Sequence, residues 1–249
     1  MKDVQIITAA DGNATAIQTI PTGLTRQEYA NRGKSLMSET GSFGVEQCGF
    51  LVPADRHFEM SGGEFCGNAA RAAAILFSQA FDKNVLEFTM SGAPKAIQAK
   101  VKHIADKKYD VSCLFKDLKA EAKKVMVAGQ PATLVDLGGI VHVVIEADFP
   151  DNYENQHRQI TQELDLINRE AVGVCWITKE GASVTMHPVV WVKDIDSFFY
   201  EGSCGSGTIA VGKVTGLNQV IQPTGKSIDV KFEENDIQLH SQMEITHEF

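Results

Sequence analysis

No C-x-x-C pair occurs anywhere in these 249 residues, and the five cysteines, Cys48, Cys66, Cys113, Cys175 and Cys204, are odd in number and scattered. That spacing argues against a zinc site and a disulfide framework, and it fits a reducing compartment. Basic residues are also scarce: 23 Lys and Arg against 32 Asp and Glu leave a net charge of -9, with a sequence pI of about 5.3. Nothing here builds the basic stripe that a phosphate backbone requires, so no nucleic-acid partner is expected. No apolar run approaches the length that spans a bilayer, so no membrane partner is expected either. The opening MKDVQIITAADGNATAIQ lacks a charged leader, an apolar core and a small-residue cleavage site. No secretory signal is therefore expected, and the expected location is the cytoplasm. Proline- or serine-rich linkers and low-complexity tracts are missing as well.

What is there is ordinary globular composition, 43% hydrophobic and 22% charged. The length suffices for one large domain or two lobes of roughly 110 to 140 residues each. β-rich DVQIITA and ATAIQTIP flank ADGN, a strong turn signal, and predict an opening hairpin. TRQEYANRGKSLMSE has helical spacing behind a threonine that can cap it. NAARAAAILFSQAF, from Asn68 to Phe81, is the most convincing helix: alanine-rich, with a long apolar face and no breaker. VLEFTMSG, KAIQAKVKHI and YDVSCLF read as a strand meander, and the lysine-rich, acidic stretch KDLKAEAKKV marks a lobe boundary near residue 120. The expected domains are 1–120, carrying Cys66, and 121–249, carrying Cys204, with the last strand able to pack back on the N-terminal lobe. The second half runs strands, a helix over NQHRQITQELDLINRE, strands, and then EGSCGSGTIAVGKV, a turn into a short helix.

Each half thus runs strands, helix, strands, and then a glycine-flanked cysteine leading into a helix. FCGNAARAA and SCGSGTIAV share Cys-Gly, a small polar residue, and small residues opening the helix. The two cysteines stand about one lobe length apart, as in an internal duplication. A helix N-terminus presents unpaired N–H groups and the positive end of the macrodipole, so such a turn can hold a carboxylate or favour a thiolate. Glycine after the cysteine lets a ligand approach the backbone. Two such turns bracketing one small anion suit a racemase, which removes a proton from one face of a carbon and delivers one to the other.

The residues that carry this pattern also resemble a known family. FCGNAAR and SCGSGT are similar to the two catalytic cysteine motifs of cofactor-independent amino-acid racemases of the diaminopimelate epimerase type. ADGNATAI resembles the family's early Gly-Asn turn, FGVEQCGFLVPA its strand after the first helix, and DLGGIVHVVI, imperfectly, its Gly-Asn-Pro-His strand. The resemblance implies an α/β (α+β) fold of two pseudo-symmetric lobes, each a β-barrel-like sheet around a central helix. It implies Cys66 and Cys204 as catalytic acid and base, with no metal and no pyridoxal cofactor, and a small-molecule amino-acid substrate. It implies Asn13 as a substrate contact. Relatives include dimers and pseudo-symmetric monomers, so a homodimer stays open.

The departures concern the substrate. The Glu-Arg pair usual before the second cysteine is absent from VKDIDSFFYEGSCG, where Asp194, Asp196 and Glu201 stand instead. EMSGGE replaces the usual turn before the first cysteine. Acidic replacements fit a neutral or cationic side chain better than a second carboxylate, and the two motifs together look most like the histidine racemases of this superfamily. The alternatives are a diaminopimelate epimerase or a racemase of another amino acid, a same-fold isomerase, and a non-catalytic binder. Gly67, Asn68, Gly205 and Ser206 are read as substrate contacts, through their amides more than their side chains. Glu64 and Glu201 are candidates for meeting an amino group or an imidazole. Cys48, Cys113 and Cys175 sit in apolar strand patterns and read as small buried hydrophobes. His142 reads as a structural histidine, and the two histidines near the C-terminus as part of a strand rather than a metal site.

Overall fold

The computed structural model describes residues 3–193 and 197–249, and the chain divides into two compact units. Unit one comprises 1–118 and 232–249, and unit two comprises 119–231. Asp194 and Asp196 lie outside the described residues. Among the described residues no helix is long and apolar enough to cross a membrane.

Unit one opens with the hairpin β1 (Val4–Ala9) and β2 (Gly12–Thr19). Its turn residues Ala10 and Asp11 both have positive φ, as the tightest hairpin turns require. Helix α1 (Arg26–Thr40) follows, with Thr25 and Glu28 forming a reciprocal capping box at its start. It carries the chain across to β3 (Val45–Val52), which pairs in parallel with β2. β4 (His57–Met60) turns back against β3, and the chain enters helix α2 (Gly67–Phe81). β5 (Val85–Met90), β6 (Ile97–Ala105) and β7 (Lys108–Phe115) complete the run as an antiparallel meander.

In unit two β8 (Glu121–Val127), β9 (Gln130–Asp136) and β10 (Ile140–Glu146) form antiparallel neighbours. Helix α3 (Tyr153–Glu163) crosses to β11 (Ala171–Glu180), which lies parallel to β10. β12 (Ser183–Val192) returns against β11 and also pairs with β13 (Ser197–Tyr200), a short strand absent from the sequence expectation. Helix α4 (Gly205–Thr215), β14 (Gln219–Ile221) and β15 (Ser227–Glu233) follow, and β16 (Asp236–Glu248) belongs to the first unit.

The first unit is a closed ring: β1-β2-β3-β4-β5-β6-β7-β16, with β16 pairing back onto β1. Helix α2 runs inside it and touches every strand of the ring. That position explains its composition, because Gly67 through Phe77 are all buried and a helix enclosed on every side can afford no polar face. Alanine keeps the helix thin, while Ile75, Leu76 and Phe77 each contribute about 1.5–3 kcal/mol through burial. Asn68 and Arg71 are the polar exceptions; the two bond to each other, and Arg71 is fully buried. Its guanidinium donates to Gly67 O at 3.1 Å, to Ser241 Oγ at 2.7 Å and to Asn68 Oδ1.

The second unit repeats the plan. Both units run antiparallel pair, crossover helix, parallel strand, antiparallel return, cysteine-led helix, and a strand parallel to that return (β5 on β4, β14 on β12). In unit two the order is β15-β14-β12-β11-β10-β9-β8, and α4 packs on β9, β10, β11 and β14. Strands β10 and β11 are buried on both faces. Val141, Val143, Ile145, Val172, Val174 and Trp176 pack with Ile160 of α3, which leaves the alternate residues His142, Gly173 and Cys175 on the other face. The fold is the α+β pair of pseudo-symmetric lobes, each a curved sheet around a helix, that the sequence led us to expect.

Candidate functional site

Cys66 and Cys204 occupy the same structural position in the two units. Each is the N-cap of its helix, with φ/ψ of -137/112° at Cys66 and -138/112° at Cys204. Each sulfur accepts the N–H three residues on, from Ala69 at 3.4 Å and from Gly207 at 3.2 Å. A cap position is normally filled by a serine, threonine, asparagine or aspartate oxygen. A thiol here keeps the extended cap backbone and places sulfur at the positive end of the helix.

The surroundings of Cys66 are built from β2 and β3. The Cys66 thiol donates to Gln47 Oε1 at 3.2 Å. Gln47 Nε2 donates to Asn13 Oδ1 at 2.6 Å and to Thr15 Oγ1 at 2.9 Å, so its carbonyl is the end left facing the sulfur. Asn13 is buried with a φ of 45°, a left-handed conformation that asparagine tolerates, and its Nδ2 donates to Glu46 Oε2 at 3.2 Å. Burial pushes the Glu46 carboxyl up to about 7, against the lowering effect of the Asn13 hydrogen bond. Glu64 is also raised by burial, and its carboxylate folds back over Gly62 onto the backbone of its own turn. Asn68 gives its side-chain oxygen to Arg71.

The surroundings of Cys204 are more buried. The sulfur's residue is 2% exposed, whereas Cys66 is partly exposed. Burial pushes the Cys204 thiol well up, and Glu201 adds to this through its negative charge and by accepting the thiol's hydrogen bond. Ser206 Oγ lies 3.5 Å from the sulfur and works the other way. Replacing Glu201 with glutamine removes the charge, so the pH at which Cys204 becomes alkylable by iodoacetamide is expected to fall. Mass-spectrometric labelling across a pH series measures that shift. An unmoved titration would leave burial alone as the cause.

The backing of the two turns is duplicated too. Ser91, just after β5, donates to Glu64 O at 3.4 Å, ahead of Cys66. Gln222, just after β14 and 1% exposed, accepts the Cys204 N–H at 2.9 Å and donates to Thr208 Oγ1 at 3.1 Å. The sequence reading missed Gln47, Glu46, Gln222 and the contact of His142 with Ser206. The adjacent Glu-Gln in VEQCGF was the one local sign, and a strand sequence gives no indication of which partners its side chains meet. Cys48 and Cys113 are buried in unit one.

A family model describing the histidine racemase CntK N-terminal domain matches residues 10–247. The chain is 31% identical over 207 residues to a histidine racemase of Fusobacterium nucleatum, covering 77% of this chain and 75% of that protein. Among solved structures, a predicted epimerase from Pseudomonas aeruginosa has a TM-score of 0.66 at 15% identity, covering 100% of this chain and 99% of that one. A phenazine biosynthesis protein of the PhzF family from Bacillus anthracis has a TM-score of 0.65 at 13% identity, covering 100% and 98%. At such identities the two structures speak for the shared fold alone.

Proposed function

This chain belongs to the histidine racemase family represented by that N-terminal domain and is an amino-acid racemase, an isomerase; from that premise we propose that it interconverts L- and D-histidine, with Cys66 and Cys204 as its two acid–base groups. The observation that carries the proposal is the duplicated cap, two cysteines in one backbone conformation, each with its sulfur on a helix N-terminus. One thiolate takes the α-proton, and the S–H of the other cysteine delivers its proton to the opposite face of the resulting carbanion. The reverse reaction exchanges the roles. The Gly67 and Asn68 amides and those of Gly205 and Ser206 receive the substrate carboxylate, on which the carbanion's charge spreads. Asn13 contacts the substrate beside Gln47. No metal or pyridoxal takes part.

Burial and Glu201 favour the protonated form of Cys204, which suits its S–H to the proton-delivering role. The acidic surroundings support a substrate with a basic ring. Glu46, titrating at about 7, is matched to an imidazole whose own pKa lies near 6.5, so the pair can share a proton. Glu64 and Glu201 are the further carboxylates for the amino group or the ring.

Incubating the purified protein with L-histidine in heavy water is expected to give α-deuteration together with loss of optical rotation, unchanged by EDTA. Exchange confined to lysine, arginine or diaminopimelate would replace the substrate, and no exchange with any of them would remove the racemase mechanism.

A further inference from the structure

The buried residues behind Cys204 form a chain whose direction follows from their chemistry. His142 on β10 is completely buried and faces α4. Its parallel partner on β11 is Gly173, where a Cβ would collide with His142 Nδ1 and Cε1. The ring therefore lies on the backbone of β11, in space that glycine alone leaves open. Two residues along the same face, Cys175 Sγ is 3.6 Å from His142 Nδ1. On the other side of the ring, His142 Nε2 is 2.9 Å from Ser206 Oγ, and Ser206 Oγ is 3.5 Å from Cys204 Sγ. A Cβ on Gly207 would lie 3.1 Å from Cys204 Sγ and 3.2 Å from Cys175 Sγ, so both sulfurs border one spot at the start of α4.

Burial sets the protonation states, and the His142 tautomer then decides which atom donates at each step. His142 is neutral, its pKa pushed down to about 3 by burial first and by His157 second. The Cys175 thiol is pushed up by burial, with a smaller contribution from Glu201, and stays S–H. A buried thiol can then donate to Nδ1, which makes Nδ1 the acceptor and puts the ring's one proton on Nε2. Ser206 Oγ accepts that proton's hydrogen bond and has its own O–H left for Cys204.

We propose that Cys175 and Gly173 hold His142 in its Nε2–H tautomer so that the Ser206 hydroxyl donates to the Cys204 sulfur. Cys175, Gly173 and His142 are positioning residues; they act through Ser206 and touch no substrate. This rests on the reading of Cys204 as an acid–base group. When Cys204 gives up its proton, the thiolate left behind meets two donors, Ser206 O–H and Gly207 N–H. Glu201 pulls the other way by favouring the thiol. The poise of Cys204 is the balance between that carboxylate and this chain. The titratable and charged groups bearing on it are Glu201 ahead of α4, Cys175 on β11, His142 on β10 and, through His142, His157 on α3.

The test uses the whole chain with ¹⁵N-labelled histidine. Long-range proton–nitrogen NMR of the wild-type protein is expected to show His142 as the Nε2–H tautomer from pH 5 to 9. Finding Nδ1–H, or a titrating ring, overturns the proposal without any variant. Cys175→Ala is expected to mix the tautomers, lower kcat about tenfold and leave KM within about twofold. Cys175→Ser, which keeps a donor, is expected to restore both the tautomer and the rate. Full kcat in a folded Cys175→Ala protein with mixed tautomers overturns the positioning role. Should the wild type fail to exchange any amino acid's α-proton while showing the Nε2–H tautomer, the racemase reading fails and the hydrogen-bond assignment stands.

Discussion

Replacing Cys66 or Cys204 with serine is expected to lower histidine racemisation by about 10²–10⁴-fold, the usual worth of a general acid or base. Serine keeps the cap and its hydrogen bond to the third residue, so the helices should survive. What is lost is acidity, since a hydroxyl neither ionises near neutral pH nor gives up a proton as readily as a thiol. Alanine variants separate the two roles further. With one thiol gone, the remaining one still reaches one face of the α-carbon. Each variant should therefore exchange the α-proton of a single enantiomer in heavy water without inverting it, and the two variants should choose opposite enantiomers. Proton NMR of the substrate together with chiral chromatography reads both properties. Full racemisation by either variant, or the same enantiomer exchanged by both, would end the two-thiol account.

Gly92→Ala should be the most damaging small substitution in the first unit. Gly92 has a φ of +70°, and a Cβ there would collide with the Phe65 nitrogen and the Glu64 carbonyl carbon. These are backbone atoms that cannot rotate away, and they belong to the residues directly before Cys66. Left-handed strain alone costs an alanine about 1–2 kcal/mol, and the collision adds to it, so a loss of about 3 kcal/mol or more is expected. Urea unfolding measures the loss. Racemisation should fall as well, because the turn that must move carries the thiol. A midpoint within experimental scatter of wild type would show that the β5–β6 turn does not brace Cys66.

Much of the fold could be read locally. The helix from Asn68 to Phe81 stood out because alanine and large apolar residues fill every face of it, and that composition has a physical cause in its enclosure by the ring. The opening hairpin and the β5–β7 meander followed from turn chemistry and alternation. β13 escaped because four residues, SFFY, next to glycine and charge carry no period of their own. Its pairing with β12 is a tertiary fact.

The sites divide in the same way. Sequence by itself determined the repeated Cys-Gly frame, and with it the two sulfurs capping two helices, because a cap is a local conformation set by a few neighbouring residues. Sequence likewise marked Asn13, whose left-handed turn is local. It could not tell the two cysteines apart, since their frames are alike. Tertiary structure decided that difference. It buried Cys204 beside Glu201 and brought Ser206, His142 and Cys175 behind it, while leaving Cys66 partly exposed against Gln47. His142, Cys175 and Gln47 come from strands distant in the chain from the cysteine each backs, and burial, which sets how hard a thiol holds its proton, is a property of everything packed around the sulfur rather than of its neighbours in sequence.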